Sequence, residues 1–170
     1  IYAYDISKSN LSFAKKNKII DNYDQDNFKH LSNADLIIIC APIGAYKKIF
    51  NNIKKYKKPD AIITDIGSTK TEIVDIYKSI FTMNSNCFIG SHPLTGKESS
   101  TVKNSDTSLF SDAVVLLTPV SDDINLIKSI GKFWGKLACK TFVLNAKQHD
   151  LVLSETSHLP HMVSFALVNI

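Results

Sequence analysis

No arginine occurs anywhere in the 170 residues; all 20 basic residues are lysines. The chain therefore carries no planar guanidinium that could grip a carboxylate or phosphate through two parallel hydrogen bonds. Glycine is scarce too, with six residues and no GxGxxG run, so the usual phosphate-cradling turn of a dinucleotide site cannot be read here. The three cysteines, Cys40, Cys87 and Cys139, are widely spaced and odd in number. They show neither CxxC spacing nor a disulfide framework and read as buried thiols in a reducing, cytoplasmic setting. No apolar run approaches the roughly 20 residues of a membrane-spanning helix, and no signal-peptide pattern is visible.

Charge of either sign is modest. The formal net charge is +4, from 20 basic and 16 acidic residues. Lysine pairs such as Lys54-Lys55 and Lys57-Lys58 read as solvated helix faces rather than as a nucleic-acid stripe. At 44% hydrophobic and 21% charged residues, the chain has the composition of one soluble globular domain with the start of a second. Residues 1–5 already have a strand pattern and the chain begins at Ile1, so its natural N-terminus is expected to lie upstream.

Short apolar runs alternate with helix-length amphipathic stretches. Strands are expected at residues 1–5, 35–41, 61–65, 87–90, 113–118 and 141–144. The run from Asp35 to Cys40 is apolar almost without interruption, as in a parallel strand covered on both faces. Helices are expected from Ile43, where Tyr46, Ile49, Phe50, Ile53 and Tyr56 share a face, over 69–81, and over 122–137 from Asp122 or Asp123. Thr69 and Glu72 are placed as a capping box for the second of these. Residues from about 99 to 111 read as a surface loop. The alternation predicts an α/β fold, a Rossmann-like doubly wound and mostly parallel sheet. It is expected to occupy residues 1–144, without its first strand and glycine loop, and residues 145–170 to begin an all-helical domain.

Several strand ends could carry chemistry. Asp5 closes the first strand, where an acidic residue can accept from ribose hydroxyls or simply serve a turn. Cys40-Ala41-Pro42 closes another, and Asp65-Ile66-Gly67-Ser68-Thr69-Lys70 a third. With Thr69 committed to the cap, the Ser68 hydroxyl is free for a ligand. In Gly90-Ser91-His92-Pro93-Leu94-Thr95-Gly96-Lys97-Glu98, Pro93 confines His92 to extended backbone, and a histidine titrating near neutrality can accept a proton. The last segment holds His149, Ser157, His158 and His161. His149 and His158 lie on opposite faces of a straight helix and can serve one site only if it bends or breaks, and Pro160 should kink it. No HExxH pattern supports a zinc site, and no metal is expected.

Together these segments resemble the prephenate/arogenate dehydrogenase family. The matching stretches are Tyr4-Asp5, residues 34–42, Asp65 to Lys70, Gly90 to Glu98, Ser157-His158-Leu159-Pro160-His161 and Phe165 to Val168. The resemblance implies oxidative decarboxylation of prephenate to 4-hydroxyphenylpyruvate in tyrosine biosynthesis, with NAD rather than NADP. Arogenate dehydrogenase, or a related β-hydroxyacid-type dehydrogenase with a lysine base, is the alternative. It implies that His92 is the catalytic histidine on the substrate 4-hydroxyl and that Ser68 orients it beside the cofactor. Glu98 would stand at the substrate entrance, and His149, Ser157, His158 and His161 would line the substrate cleft. Asp5, Ala41, Pro42 and Ser68 would face NAD. It further implies a homodimer formed through the helical domain, with an arginine for a substrate carboxylate beyond Ile170. Lys97 stands where the family often has a small or hydroxyl residue, and is expected to bias the choice between prephenate and arogenate. His92 is expected to titrate near pH 6–7.

Overall fold

The computed structural model describes residues 1–25, 28–81, 85–97 and 101–168. Among these, strands β3 (Leu36–Ile39), β4 (Ile62–Asp65), β5 (Phe88–Pro93), β6 (Val114–Pro119) and β7 (Lys140–Val143) form one sheet in that order. All neighbours are parallel except the antiparallel pair β5 and β6. Strands β1 (Tyr2–Tyr4) and β2 (Asn22–Asp24) pair in parallel as a separate two-stranded sheet. The six expected strands form within a few residues of their predicted bounds. β2 is not predicted from the sequence, because Asn-Tyr-Asp has no apolar period. Nor is α1 (Lys8–Lys16), whose only buried residues are Leu11 and Ala14.

Alternation along the strands divides the apolar residues between two cores. Ile37, Ile39, Ile63 and Phe88 pack with α2 (Tyr46–Tyr56) and α3 (Thr71–Ile80). Ile89, Val115 and Leu117 pack with Leu126, Ile130 and Trp134 of α4 (Ile124–Gly135). Phe88 and Ile89 are adjacent in sequence and serve different cores, so helices cover both faces, as expected for a doubly wound sheet. Each fully buried large side chain contributes roughly 1.5–3 kcal/mol. Asp123 opens α4 by accepting from the amides of Asn125 at 2.9 Å and Leu126 at 3.2 Å.

After β7 the chain is helical, as predicted, but not as one regular helix. α5 (Ala146–Leu153) runs into a wider π turn (Ser154–His158) and then into α6 (Leu159–Val168). Pro160 has no amide hydrogen to donate to the preceding turn, and the π turn lies where that bond is missing.

A buried polar knot joins the carboxyl end of β4 to β5. Asp65 is fully buried. Its carboxylate accepts from Tyr46 Oη at 2.9 Å, Gly67 N at 2.9 Å, Lys70 Nζ at 2.6 Å and Ser91 N at 3.0 Å. Lys70 Nζ also donates to Ser91 O at 2.8 Å. Ser91 Oγ accepts from Trp134 Nε1 at 3.0 Å and shares a 2.8 Å hydrogen bond with Thr64 Oγ1, which draws α4 into the knot. Burial pulls the Lys70 pKa down, and Asp65 opposes that pull without reversing it. Burial raises the Tyr46 hydroxyl, and Asp65 raises it further. Reading the lysines as solvated therefore fails at Lys70, which is completely enclosed.

Two substitutions test this knot. Lys70→Ala leaves the Asp65 carboxylate buried without its counter-charge and should destabilise the fold by about 3–5 kcal/mol in urea unfolding; a loss below about 1 kcal/mol would contradict the described pairing. Gly90 has no room for a side chain, since a Cβ there would collide with Thr118 Oγ1 and stand 3.0 Å from Lys70 Cδ. Gly90→Ala should cost about 1–3 kcal/mol, seen as a lower thermal midpoint, and an unchanged midpoint would show that this contact yields.

Candidate active site

His92 sits within β5, opposite Leu116 of β6. Sequence reasoning puts it in the loop after the strand; β5 instead continues through Pro93. The β4 register with β5 is Ile63 to Phe88 and Thr64 to Ile89. Beyond Ile89 the β4 side of β5 is therefore free of ladder bonds, and a proline there removes none. Pro93 keeps this stretch extended, as its effect on the preceding residue predicts.

α5 brings a second histidine to the first. His149 Nε2 lies 3.0 Å from His92 Nδ1, and His149 Nδ1 lies 2.8 Å from Asp150 Oδ1. The Asp150 carboxylate also accepts from the backbone amides of Lys70 at Oδ1 and Thr71 at Oδ2, both at 2.8 Å. These are orphan donors at the start of α3. The Thr69–Glu72 capping box does not form, because α3 begins at Thr71 with no side-chain cap from its own segment. The cap comes from a carboxylate 80 residues away in sequence.

Electrostatics follow from this enclosure. Burial lowers the His92 pKa, His149, Lys70 and His158 lower it further, and Asp150 opposes them, leaving it at about 4. The expected titration near pH 6–7 is thus corrected downward, and His92 is neutral at physiological pH. Burial lowers His149 also, against the pull of Asp150. Burial alone would raise Asp150, but hydrogen bonds from Thr71, His149 and the Lys70 amide bring it down to about 2.

The other predicted residues fall into three groups. His149, expected to line the substrate cleft, is instead fully enclosed, with both ring nitrogens engaged. His158 and Ser157 are half-buried in the π turn, and the charge of His158 bears on His92. The break required for His149 and His158 to serve one site is this π turn. His161 is exposed on α6. Ser68 is exposed in the loop after β4 and, among the described residues, has no hydrogen-bond partner. Among the described residues no hydrogen bond joins Ser68 to His92, and the ring nitrogen beside His92 Nδ1 is His149 Nε2. Ala41 and Pro42 follow β3 at its carboxyl end. Asp5 is half-buried, and one of its oxygens accepts from Ser7 N at 2.6 Å in the turn that leads into α1. Glu98 lies outside the described residues. Lys97 is held by Asp106 at 2.7 Å, and Asp106 also accepts from the Ser108 amide and hydroxyl, so the lysine charge is paired within its own loop.

Sequence reasoning misses Asp65, Lys70 and Asp150. The signals are present but bland: an acid closing an apolar strand five residues before a lysine, and a His-Asp pair within a helical stretch.

Among the described residues no three His, Cys, Asp or Glu side chains form a group that could hold a metal ion, and no helix is long and apolar enough to cross a membrane. Comparison with known proteins adds the lineage. The chain is 35% identical over 159 residues to a prephenate dehydrogenase of Lactococcus lactis, covering 92% of this chain and 43% of that protein. It superimposes with a TM-score of 0.91 and 31% identity on prephenate dehydrogenase from Aquifex aeolicus, crystallised with hydroxyphenyl propionate and NAD+, covering 99% of this chain and 59% of that one. Arogenate dehydrogenase from Synechocystis follows with a TM-score of 0.87 and 27% identity, covering 99% and 59%. The chain spans about half the length of the curated relatives it matches. The family model described as the nucleotide-binding domain of prephenate dehydrogenase matches residues 1–143, and the chain belongs to that family.

Proposed function

We propose that the protein catalyses the oxidative decarboxylation of prephenate to 4-hydroxyphenylpyruvate, a step of tyrosine biosynthesis, with NAD as the oxidant. The observation that carries this reading is the state of His92: an imidazole held neutral, anchored through Nδ1, and with no hydrogen-bond partner at Nε2 among the described residues. A neutral, anchored imidazole is suited to accept the proton of a substrate hydroxyl.

The residues present fit the ends of a dinucleotide. The Asp5 oxygen not engaged by Ser7 is available to a ribose hydroxyl. Ala41, Pro42 and Ser68 follow strands β3 and β4 at their carboxyl ends, where open α/β sheets bind ligands. NAD, when bound, would supply the hydride acceptor for the hydroxyl-bearing carbon of the ring. His92 accepts the hydroxyl proton, carbon dioxide leaves from the opposite ring carbon, the ring becomes aromatic, and the resulting phenolate oxygen takes the proton back from His92 to give the phenol. Ser68, Ser157, His158 and His161 contribute polar groups to the substrate and cofactor sides of the cleft, and Glu98 to its entrance. Residues 1–144 are the dinucleotide-binding domain, and residues from 145 begin the helical domain. α6 exposes Leu159, Met162, Val163, Phe165, Leu167 and Val168, an apolar surface suited to a homodimer contact of a cytoplasmic enzyme. Arogenate remains the alternative substrate. Because Lys97 is paired with Asp106, its charge is not expected to sort the two, and Lys97→Thr should leave their relative kcat/KM unchanged.

In the intact enzyme, His92→Asn should lower kcat by roughly 10²–10⁴-fold, the usual worth of a positioned acid–base group, with little change in KM or melting temperature. The wild-type kcat/KM profile should hold its plateau down through pH 6 and fall only toward the His92 pKa of about 4, because protonated His92 cannot accept the hydroxyl proton. That limb should be absent from the variant. A folded variant with near-wild-type kcat would remove His92 from the reaction. The cofactor gives a second test. The Asp5 carboxylate should repel a 2′-phosphate, so kcat/KM with NAD should exceed that with NADP, and Asp5→Ser should narrow the ratio. Equal use of both cofactors by the wild type would contradict the role of Asp5.

A further inference from the structure

The strongest unassigned feature is the line of groups behind His92, and its value rests on reading His92 as the proton acceptor. Asp150 lies at one end. Its carboxylate accepts from the amides of Lys70 and Thr71 and meets His149 Nδ1 at 2.8 Å. An ionised carboxylate only accepts hydrogen bonds, so His149 Nδ1 must carry the proton. Neutral His149 then has a bare lone pair at Nε2. That nitrogen lies 3.0 Å from His92 Nδ1, so His92 Nδ1 must donate. A neutral imidazole carries one ring proton, and His92 Nε2 is therefore left bare.

We propose that His149 and Asp150 are positioning residues that fix the tautomer of His92, so that its Nε2 always offers a lone pair to the substrate hydroxyl. The arrangement is rigid at every step. His149 is fully enclosed on α5, and the Asp150 carboxylate is pinned by two backbone amides at the start of α3. The groups that face His92 from neighbouring elements are Lys70, which precedes α3, and His158 in the π turn. Both disfavour a positive charge on the ring, whereas Asp150 favours it. Once His92 Nε2 takes the proton, the imidazolium stands one ring away from the Asp150 carboxylate. The same carboxylate holds the start of α3, so the segment that follows β4 and the proton acceptor share one anchor.

Two variants of the intact enzyme separate this role from simple packing. The amide of Gln can extend to where imidazole Nε2 stands and offer its oxygen to His92, whereas Asn reaches only the Nδ1 position and offers His92 nothing. His149→Asn should therefore lower kcat by roughly 10²-fold, within the range for an acid–base group left in the wrong state, with KM within about threefold. His149→Gln should recover at least about tenfold of that loss. Both are assayed below their melting transitions, so a shared loss of stability does not enter the comparison. Equal activity of the two variants, or near-wild-type kcat in His149→Asn, would overturn the proposal. His92→Asn in parallel keeps the two ideas apart. If it is inactive while His149→Asn is active, only the tautomer role falls. If it is fully active, the reading of His92 itself falls.

Discussion

Two backbone amides at the start of α3 and one imidazole nitrogen converge on the carboxylate of Asp150. Each of those donors is expensive to leave unpaired away from water, and Asp150 satisfies all three. The geometry of the site follows from that convergence. It docks α5 against α3, brings His149 to His92, and orients the loop between β4 and α3 that carries Ser68. A carboxylate holding this many donors stays ionised far below neutral pH, so the anchor is in place at neutral and mildly acidic pH.

Asp65 has a similar role in a deeper layer of the sheet. It collects donors from Tyr46, Gly67, Lys70 and Ser91, and so joins α2, the end of β4 and β5. Lys70 belongs to both systems. Its side chain binds Asp65 and the Ser91 carbonyl, while its backbone amide binds Asp150. A buried ion pair of this kind contributes little net stability compared with well-packed apolar residues. Its value here is positional: it fixes the residue before His92 and the residue before α3 relative to each other. The positive charge of Lys70 also helps keep His92 neutral, which connects the packing of the sheet to the chemistry proposed for the site.

Much of this is legible in the sequence. The β-branched run of β3 and the spacing of Tyr46, Ile49, Phe50 and Ile53 in α2 signal a covered sheet with helices on its faces, because burial imposes a period. His92 stands out because a histidine before proline in a glycine-bounded motif is an unusual combination. The strand β2 and helix α1 are not legible, since their apolar content is too low to carry a period. The cap of α3 is misassigned for a different reason. Thr69 and Glu72 have the right spacing, but α3 starts at Thr71 and its first amide, with that of Lys70, is taken by a carboxylate arriving from α5, about which local spacing holds no information. Lys70 looks solvated because nothing in its neighbours announces that Asp65 is buried. His149 is recognisable as a functional candidate, but its place one ring behind His92 requires the packing of α5 to be known.

The central claim concerns where two protons reside, and nitrogen-15 NMR of labelled histidines reads this directly. In the intact protein at neutral pH, His92 should show a protonated Nδ1 and an unprotonated, pyridine-like Nε2, and His149 should show the same pattern. A protonated Nε2 on His92 would contradict the account, because the nitrogen assigned to accept the substrate proton would already carry one.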